Sequence, residues 1–290
     1  MYNIAMFAYN EANNLKLSLT NLFNNVDDGL QTVYLLANGC TDNTVQVAED
    51  LKRIHGFDKL EIIEIALGDK CNAWNHYVHN LKVDAKCHFF VDSDVIFSDN
   101  CFPLLYRKLQ HSTPPPNIVA GYPQSGRNLK FYQMLVEERA CFFGNLYGAS
   151  QQYIEMVRNR NFRLPIGLNW IDSFLTKAAN TDIQFIDRNL PNRVVYEKGI
   201  GFKFESLSPF KWDDIKLYKN RIARYELGKI QEIYLDALDV SMWPLQMSEI
   251  NQDILARFTQ RSAHLGAIKK FLVKRRLCKL IEKDQRIYEQ

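Results

Sequence analysis

The sequence predicts an α/β fold in which a mostly parallel sheet is flanked by helices. Short runs rich in Val, Ile, Leu, Phe and Tyr alternate with segments whose apolar residues recur every three or four positions. Gly, Asn and Asp mark many of the boundaries. Because strands joined by helical crossovers run parallel, we expect ligands to bind beyond the carboxyl ends of these strands.

The first hundred residues supply four of the strands and three of the helices. The predicted strands are Tyr2–Ala8, Thr32–Leu36, Leu60–Ala66 and His88–Val91. The predicted helices between them are Glu11–Phe23, Thr44–His55 and Asn72–Leu81. The polar clusters of this region, discussed below, each follow one of these strands.

The next hundred residues are less regular. A further strand is predicted at Asn117–Tyr122, and residues 131–160 are typical of helical or mixed structure. A late strand at Val194–Glu197 is followed by a predicted loop around Gly199–Gly201.

A long helix is predicted to begin near residue 208. Ser208 suits an N-cap and Pro209 the first helical position, and the apolar pattern runs towards Leu238. We therefore predict a main domain over residues 1–238 and a helical, basic C-terminal extension over residues 239–290.

Composition excludes several classes of protein. The chain has 290 residues, of which 47% are hydrophobic and 24% are charged, as expected for a globular domain with a substantial core. A net charge of +3 is too small to indicate a protein that binds nucleic acid through its overall charge. No apolar run reaches the ~18 residues of a membrane span. The six cysteines form no Cys-x-x-Cys pair, and Met1–Phe7 lacks the features of a signal peptide. We expect reduced thiols and a cytoplasmic protein.

Two carboxylates follow the fourth predicted strand. Asp92 and Asp94 are two residues apart, so both can face one ligand. A divalent cation such as Mg²⁺ or Mn²⁺ would offset their repulsion and could also bind substrate phosphates. The alternative is a solvated turn in which Asp92 or Ser93 caps the following segment.

Lys70 opens the helix after the third predicted strand. A lysine near a helix N-terminus suits an anionic ligand. An ordinary surface turn capped by Asn72 explains the same residues, so Lys70 alone does not predict a site.

Four short strings at successive strand ends, taken together, are specific. In chain order they are Phe7–Glu11, Asn38–Thr44, Lys70–Asn75 and Asp92–Asp94. The series resembles family 2 glycosyltransferases, which have the GT-A (Rossmann-like) fold and typically show P-x-Y-N-E, D-D-G-S-T-D-x-T, G-K-x-x-A-x-N and D-x-D. The resemblance covers about the first 230 residues and implies that residues 1–238 form the catalytic domain.

This resemblance implies an inverting sugar transfer from a nucleotide-diphosphate sugar to a hydroxyl of a glycan or lipid-linked acceptor, as in polysaccharide biosynthesis. Tyr9 and Glu11 would help to seat the nucleotide base. Lys70 and Asp92 would lie near the base, ribose or phosphates. Asp94, with Asp92, would hold Mn²⁺ or Mg²⁺, which offsets charge on the departing nucleoside diphosphate.

The resemblance also implies a catalytic base in the segment Leu164–Leu175. Family members supply this base from a Glu-Asp pair at the start of a helix, and here Ile171 and Asp172 occupy the pair. Asp172 would take the proton of the acceptor hydroxyl. A first-turn aspartate favoured by the helix dipole is the structural alternative. Trp170 would stack on an acceptor sugar or, equally, fill a core position.

The long helix carries one more match to the family, in its Q-x-x-R-W-x-x-G string. Arg221, Arg224, Tyr225 and Gly228 share one helical stripe. The two arginines would bind the donor diphosphate, and Tyr225 would pack against an acceptor sugar. The alternative is a solvated, salt-bridged helix face.

Two departures from the family pattern affect the predicted donor and acceptor sites. Ala37 and Asn38 replace the two aspartates that begin the second string, so Asn38 or main-chain groups would read the base. A UDP-sugar is the first guess for the donor. Ile171 replaces the acidic partner of Asp172. Both changes keep open the alternative of a catalytically silent relative that binds a nucleotide sugar or glycan.

The C-terminal segment 268–283 is strongly basic. It carries seven Lys or Arg residues against one Glu, with an apolar stripe at Val273, Leu277, Leu280 and Ile281. Such a helix could make peripheral contact with the inner face of an anionic membrane. The alternative, which we favour, packs the stripe onto the protein and leaves the basic face in water.

Overall fold

The computed structural model describes residues 1–204 and 212–288, and its centre is an eight-stranded sheet. The strands are β1 (Tyr2–Ala8), β2 (Leu30–Asn38), β3 (Leu60–Ile65), β4 (Cys87–Asp92), β5 (Ile96–Phe97), β6 (Ile118–Pro123), β7 (Leu146–Ser150) and β8 (Val194–Lys203). Their order in the sheet is β3-β2-β1-β4-β7-β6-β8-β5.

Helices connect the strands and follow them in the chain. They are α1 (Ala12–Phe23), α2 (Thr44–His55), α3 (Lys70–Asn75), α4 (Cys101–His111), α5 (Leu129–Arg139), α6 (Gln151–Asn159), α7 (Ile171–Asn180), α8 (Trp212–Asp236), α9 (Ser248–Ala256), α10 (Phe258–Arg261) and α11 (Ala267–Tyr288). A π-helical turn at His76–Leu81 continues α3, where the sequence predicts one α-helix over Asn72–Leu81.

The strands β1 to β4 pair in parallel, as the sequence predicts. Strand β7 runs antiparallel to both β4 and β6, and β6 pairs in parallel with β8. The carboxyl ends of β1 to β4 and β6 therefore share one edge of the sheet with the start of β7. We call this edge the carboxyl edge.

The chain divides into two compact units. Of the described residues, the first unit holds 1–162 and 172–204, and the second holds 163–171 and 212–288. The core of the first unit lies between the sheet and its helices, with Ile4, Leu19 and Phe89 fully buried. The predicted division between residues 1–238 and 239–290 concerns which residues carry catalysis and stays a prediction.

The predicted loop at Gly199–Gly201 is wrong, because these residues continue β8 to Lys203. A Cβ atom on Gly201 would lie 2.1 Å from the carbonyl oxygen of Tyr122. Glycine here permits close approach of β8 to β6 and does not mark a turn. The predicted N-cap at Ser208 and Pro209 lies outside the described residues.

The second unit has its own core, to which α11 contributes the predicted apolar stripe. Val273 and Leu277 are fully buried, against Leu227 and Ile230 of α8 and Ile254 of α9. The stripe therefore packs onto the protein. None of the helices in the described ranges combines the length and the apolar character that a membrane crossing requires.

All six cysteines are free thiols, as the sequence predicts. Cys71, Cys87 and Cys101 are buried in the first unit, whereas Cys40, Cys141 and Cys278 are partly exposed. Burial raises the pKa of the Cys87 thiol well above its usual value, and that of Cys101 to about 12.

Candidate active site

The loops after β1 and β2 are tied together at the carboxyl edge. Asp42 accepts hydrogen bonds from the main-chain N–H of Ala12 (3.2 Å) and from the Thr44 hydroxyl (2.5 Å). Thr44 in turn accepts from the main-chain N–H of Glu11 at 2.9 Å. Burial acts against ionisation, but these hydrogen bonds prevail and lower the pKa of Asp42. The Glu11 loop therefore has a fixed position.

Tyr9 is more than half exposed, and its ring lies against the loop that follows β3. A Cβ atom on Gly68 would approach ring carbon Cε2 of Tyr9 to 3.0 Å. Gly39 has a φ of +67°, and a Cβ there would lie 2.4 Å from the Cα of Gly68. Two glycines thus bring the loops after β2 and β3 together beneath an exposed aromatic ring, an arrangement that suits stacking.

Asn38 is buried at the end of β2, with only 4% of its surface exposed. Its amide donates to the carbonyl oxygen of Ala8 at 2.8 Å, so the side chain links β2 to β1. This hydrogen bond gives the Asn38 side chain a structural role in joining the two strands. Its predicted contact with the base stays a prediction.

Lys70 and Asp92 form an ion pair across the ends of β3 and β4. The Lys70 ammonium also lies 5.4 Å from the centre of the Phe7 ring. Asp69 caps α3 by accepting from the main-chain N–H of Asn72 at 3.0 Å, so the predicted cap at Asn72 is wrong. This capping fixes the first turn of α3, which carries Lys70.

Asp172, in the first turn of α7, lies beside Lys70. A Cβ atom on Gly144 would lie 2.7 Å from Asp172 Oδ1 and 2.8 Å from Lys70 Nζ, so the two atoms flank one point. The structure therefore brings the predicted base to the cation that pairs with Asp92. Lys70 and Asp172 thus meet at Gly144, and Asp92 joins them through its ion pair with Lys70.

A buried aromatic layer lies near these charges. Tyr147 of β7 stacks on Phe90 with ring centres 4.9 Å apart, and its hydroxyl accepts from the indole N–H of Trp74 at 3.0 Å. Burial raises the pKa of Tyr147 well above its usual value, and the charges of Asp172 and Asp92 add to the shift. Tyr147 therefore stays neutral and serves as a rigid support.

Acidic groups gather around Glu11. Its pKa is raised first by burial and then by the negative charges of Asp94, Asp92 and Asp42, which outweigh a hydrogen bond from Asn14. Asp94 is exposed, and the carbonyl of Ser93, just before it, accepts from the Ser18 hydroxyl at 2.6 Å. A cation bound here would relieve the repulsion.

This donor set fits a divalent metal that takes few ligands from the protein. Within the described ranges, no three or more His, Cys, Asp and Glu side chains are grouped so as to hold an ion. Mg²⁺ is commonly held by one or two carboxylates, with phosphate oxygens and water completing the shell. Asp94 and Asp92 meet that description, with Asp92 also engaged by Lys70.

The other predicted residues lie in the second unit. Trp170 has a φ of +57°, and its ring meets that of Tyr225 edge-on with centres 5.9 Å apart. The ammonium group of Lys229 lies 5.8 Å from the Trp170 ring. Arg221 and Arg224 are exposed on α8. The structure thus joins Trp170 to Tyr225 and places both arginines on the same helix as Tyr225.

Sequence reasoning missed Gly144 and Tyr147, which lie at the centre of the first unit's site. The sequence around Gly144 matches no motif. A single Tyr in a strand is typical of a core residue, so Tyr147 gave no signal of a functional role. Asp42, by contrast, lies inside the second string and could have been found from its place there.

Solved glycosyltransferase structures share this fold. The mannosyltransferase PcManGT from Pyrobaculum calidifontis, in complex with GDP-Man and Mn²⁺, aligns with a TM-score of 0.61 and 15% identity over 96% of this chain and 73% of that one. Residues 1–349 of S. aureus TarS, in complex with UDP-GlcNAc, align with a TM-score of 0.53 and 12% identity over 98% and 91% of the two chains. At these identities the likeness shows the fold alone, which is GT-A.

The sequence itself defines the family. The family described as glycosyl transferase family 2 matches residues 3–187, well over half of the chain. No curated protein sequence matches the chain closely enough to count as a relative. The protein is an enzyme of the glycosyltransferase class. It belongs to glycosyl transferase family 2.

Proposed function

We propose that this enzyme is an inverting glycosyltransferase that moves a sugar from a nucleoside diphosphate sugar to a hydroxyl of a glycan or lipid-linked acceptor, in polysaccharide biosynthesis. One observation carries the proposal. Asp172 and Lys70 meet at Gly144, and Lys70 pairs with Asp92 at the carboxyl edge, so a candidate base lies beside the candidate donor site.

The reaction needs one base and one leaving group. The Asp172 carboxylate takes the proton of the acceptor hydroxyl while that oxygen attacks the anomeric carbon of the sugar. The bond from the anomeric carbon to the diphosphate breaks on the opposite face, and its electron pair leaves with the nucleoside diphosphate. The product glycoside is inverted at the anomeric carbon, and Asp172 holds the proton.

The donor site balances charge. The Lys70 ammonium pairs with Asp92 and lies near Asp172, so its positive charge offsets the repulsion between the two carboxylates. Asp94 and Asp92 are the residues that would hold Mn²⁺ or Mg²⁺. When bound, the cation neutralises charge that develops on the leaving diphosphate. The match of Arg221 and Arg224 to the family's string on α8 supports their assignment to the donor diphosphate.

We assign binding of the nucleobase to Tyr9, Glu11 and Asn38. The exposed Tyr9 ring above Gly68 favours stacking on the base. Because the Asn38 amide already donates to Ala8, the main chain around residue 38 supplies the remaining contacts. A UDP-sugar remains the first guess for the donor. On the acceptor side, Trp170 and Tyr225 offer aromatic faces for a sugar ring.

Calorimetric titration tests the donor site. We would titrate UDP, GDP, CDP and dTDP with and without Mn²⁺ into the wild type, Asp94→Asn and the control Asp58→Asn, since Asp58 is an exposed residue before β3. Binding of one nucleotide that needs Mn²⁺ and is lost only in Asp94→Asn supports the proposal. Equal binding by all three proteins would contradict the assignment of Asp94.

Asp172→Asn separates the enzyme from its rival, the catalytically silent relative that Ala37 and Ile171 suggest. We expect the variant to lose transfer by a factor of at least about 10² and to keep donor affinity. Nucleotide binding without turnover by the wild type, in any donor and acceptor combination, would instead select the silent relative.

We also propose a cytoplasmic location with peripheral contact to anionic lipid through α11. Because Val273 and Leu277 are buried, the lipid-facing side is a different one from the predicted stripe. Ile268 and Phe271 are 78% and 64% exposed, and their helical stripe continues into the exposed cation Arg275. Apolar side chains beside cations suit an anionic lipid surface.

Vesicle co-sedimentation tests this surface. The wild type should pellet with vesicles of phosphatidylglycerol and not with phosphatidylcholine. Phe271→Asp should abolish pelleting, whereas Ile54→Asp, at another exposed apolar position, should leave it unchanged. Equal recovery of wild type and Phe271→Asp from the anionic vesicles would reject the contact.

A further inference from the structure

Trp170 stands at the end of a segment, residues 163–171, that is built into the second unit. Its φ of +57° is a left-handed conformation that a side chain larger than glycine rarely adopts. Such a conformation persists only where the surroundings hold it. At its other end, the segment pairs with the chain before α9, because Ile166 accepts from Met247 and donates to Leu245, both at 2.9 Å.

The residue before Trp170 is the centre of a buried polar network. The Asn169 main-chain N–H donates to Gln231 Oε1 of α8 at 2.8 Å, and Gln231 donates onward to Asn251 Oδ1 of α9 at 2.8 Å. Asn169 is 4% exposed, and Gln231 and Asn251 are fully buried. Buried polar groups depend on such partners, since water does not replace them.

Arg276 completes this network from α11. Its Nε donates to Asn169 Oδ1 at 2.7 Å, a short, charge-assisted hydrogen bond. The neighbouring residues Val273 and Leu277 are buried in the core of the second unit, which fixes the helix that carries the guanidinium. Helices α8 and α11 thus hold Asn169 directly, through its main chain and its side chain, and α9 supports this contact through Gln231.

The same segment meets α8 where that helix has no side chain. A Cβ atom on Gly228 would lie 2.5 Å from the Cβ of Trp170 and 3.0 Å from the carbonyl oxygen of Asn169. Gly228 therefore permits the close approach that sets Trp170 beside Tyr225 and Lys229. The polar network and this contact specify one position for the indole.

We propose that Arg276 is a positioning residue, which acts through Asn169 to hold Trp170 in the geometry used for the acceptor. The C-terminal helix α11 is then a working part of the acceptor side and not a dispensable extension. The role of Trp170 toward the acceptor rests on the proposed function. The coupling of Arg276 to residues 163–171 is independent of that function.

Hydrogen exchange tests the coupling without any substrate. The Asn169 amide hydrogen bonds within a buried network, so it should exchange slowly in the wild type. Arg276→Met should speed exchange of a peptide covering residues 167–170 by about tenfold or more and leave peptides of β1 and β4 unchanged. Arg275→Met, at the exposed neighbouring position, is the matched control. Wild-type exchange at 167–170 in Arg276→Met would overturn the proposal.

Steady-state kinetics tests the consequence. Arg276→Met should raise KM for the acceptor about tenfold while KM for the donor stays within twofold, and Arg276→Lys, which can still donate to Asn169, should recover part of the loss. Equal changes in both constants, with a lowered Tm, would indicate a merely structural role and reject positioning. If exchange responds as expected but the wild type transfers no sugar, the proposed function fails and the network stands.

Discussion

Gly144→Ala is the sharpest test of the site at the carboxyl edge. The added methyl would lie 2.7 Å from Asp172 Oδ1 and 2.8 Å from Lys70 Nζ, whereas ordinary van der Waals contact begins at 3.4 Å. Both charged atoms must therefore move, by about 0.7 Å and about 0.6 Å if each moves directly away. The backbone need not move, because both atoms are side-chain ends.

The size of the effect follows from that displacement. A misplacement of about 1 Å in a reacting group costs on the order of 10² in rate, so a shift of this size should lower kcat about 10- to 100-fold. Stability should fall by less than about 1 kcal/mol, because no buried apolar contact is lost. A large loss of activity with an intact fold is the expected signature.

The assay is release of nucleoside diphosphate from the donor that calorimetry identifies, with Tm measured on the same samples. Gly266→Ala is the matched control, since a Cβ there meets nothing within 4 Å. A kcat for Gly144→Ala within twofold of the wild type would refute the assignment of Asp172 and Lys70 to the reacting site.

Three further predictions concern other parts of the molecule. His88 is fully buried, and burial lowers its pKa to about 4. As pH falls from 6.5 towards 4, the imidazole of His88 therefore becomes protonated in the unfolded chain but not in the folded protein. Urea unfolding should therefore show a stability loss of about 3 kcal/mol over that range that is absent in His88→Gln and retained in His264→Gln. Leu277→Ala should destabilise the second unit by about 2–5 kcal/mol and Phe271→Ala by less than about 0.5, measured by the same unfolding. Arg224→Ala should raise KM for donor or acceptor by about tenfold, and unchanged constants for both would return Arg224 to a surface role.

Much of the fold could be predicted because local pattern and tertiary structure agree in the first hundred residues. Strand β1 and helix α2 have the predicted bounds, since apolar periodicity and turn residues coincide there. The prediction for β8 stopped early because Gly199 and Gly201 usually indicate turns. Gly201 is instead required by the backbone of Tyr122 on a neighbouring strand, which a local pattern does not reveal.

The site was predictable where residues match the family strings, at strand ends for Lys70 and Asp92 and at a helix start for Asp172. Lys70, Asp92 and Asp172 are distant in sequence, and the structure places them together. Gly144 could not be found in advance, because its importance lies in the atoms around it. The network of Asn169, Gln231 and Arg276 likewise joins residues whose spacing carries no pattern.

The distribution of free thiols provides an internal reporter of opening. Cys71, Cys87 and Cys101 all lie buried in the first unit, and burial raises the pKa of the latter two, so they are slow to form the reactive thiolate. Cys278 is the one cysteine of the described part of the second unit, and it is partly exposed. A thiol-specific label should therefore modify Cys278 in the native protein and reach the three buried thiols only when the first unit opens. Mass analysis of labelled peptides would time the loosening of the first unit without a spectroscopic probe.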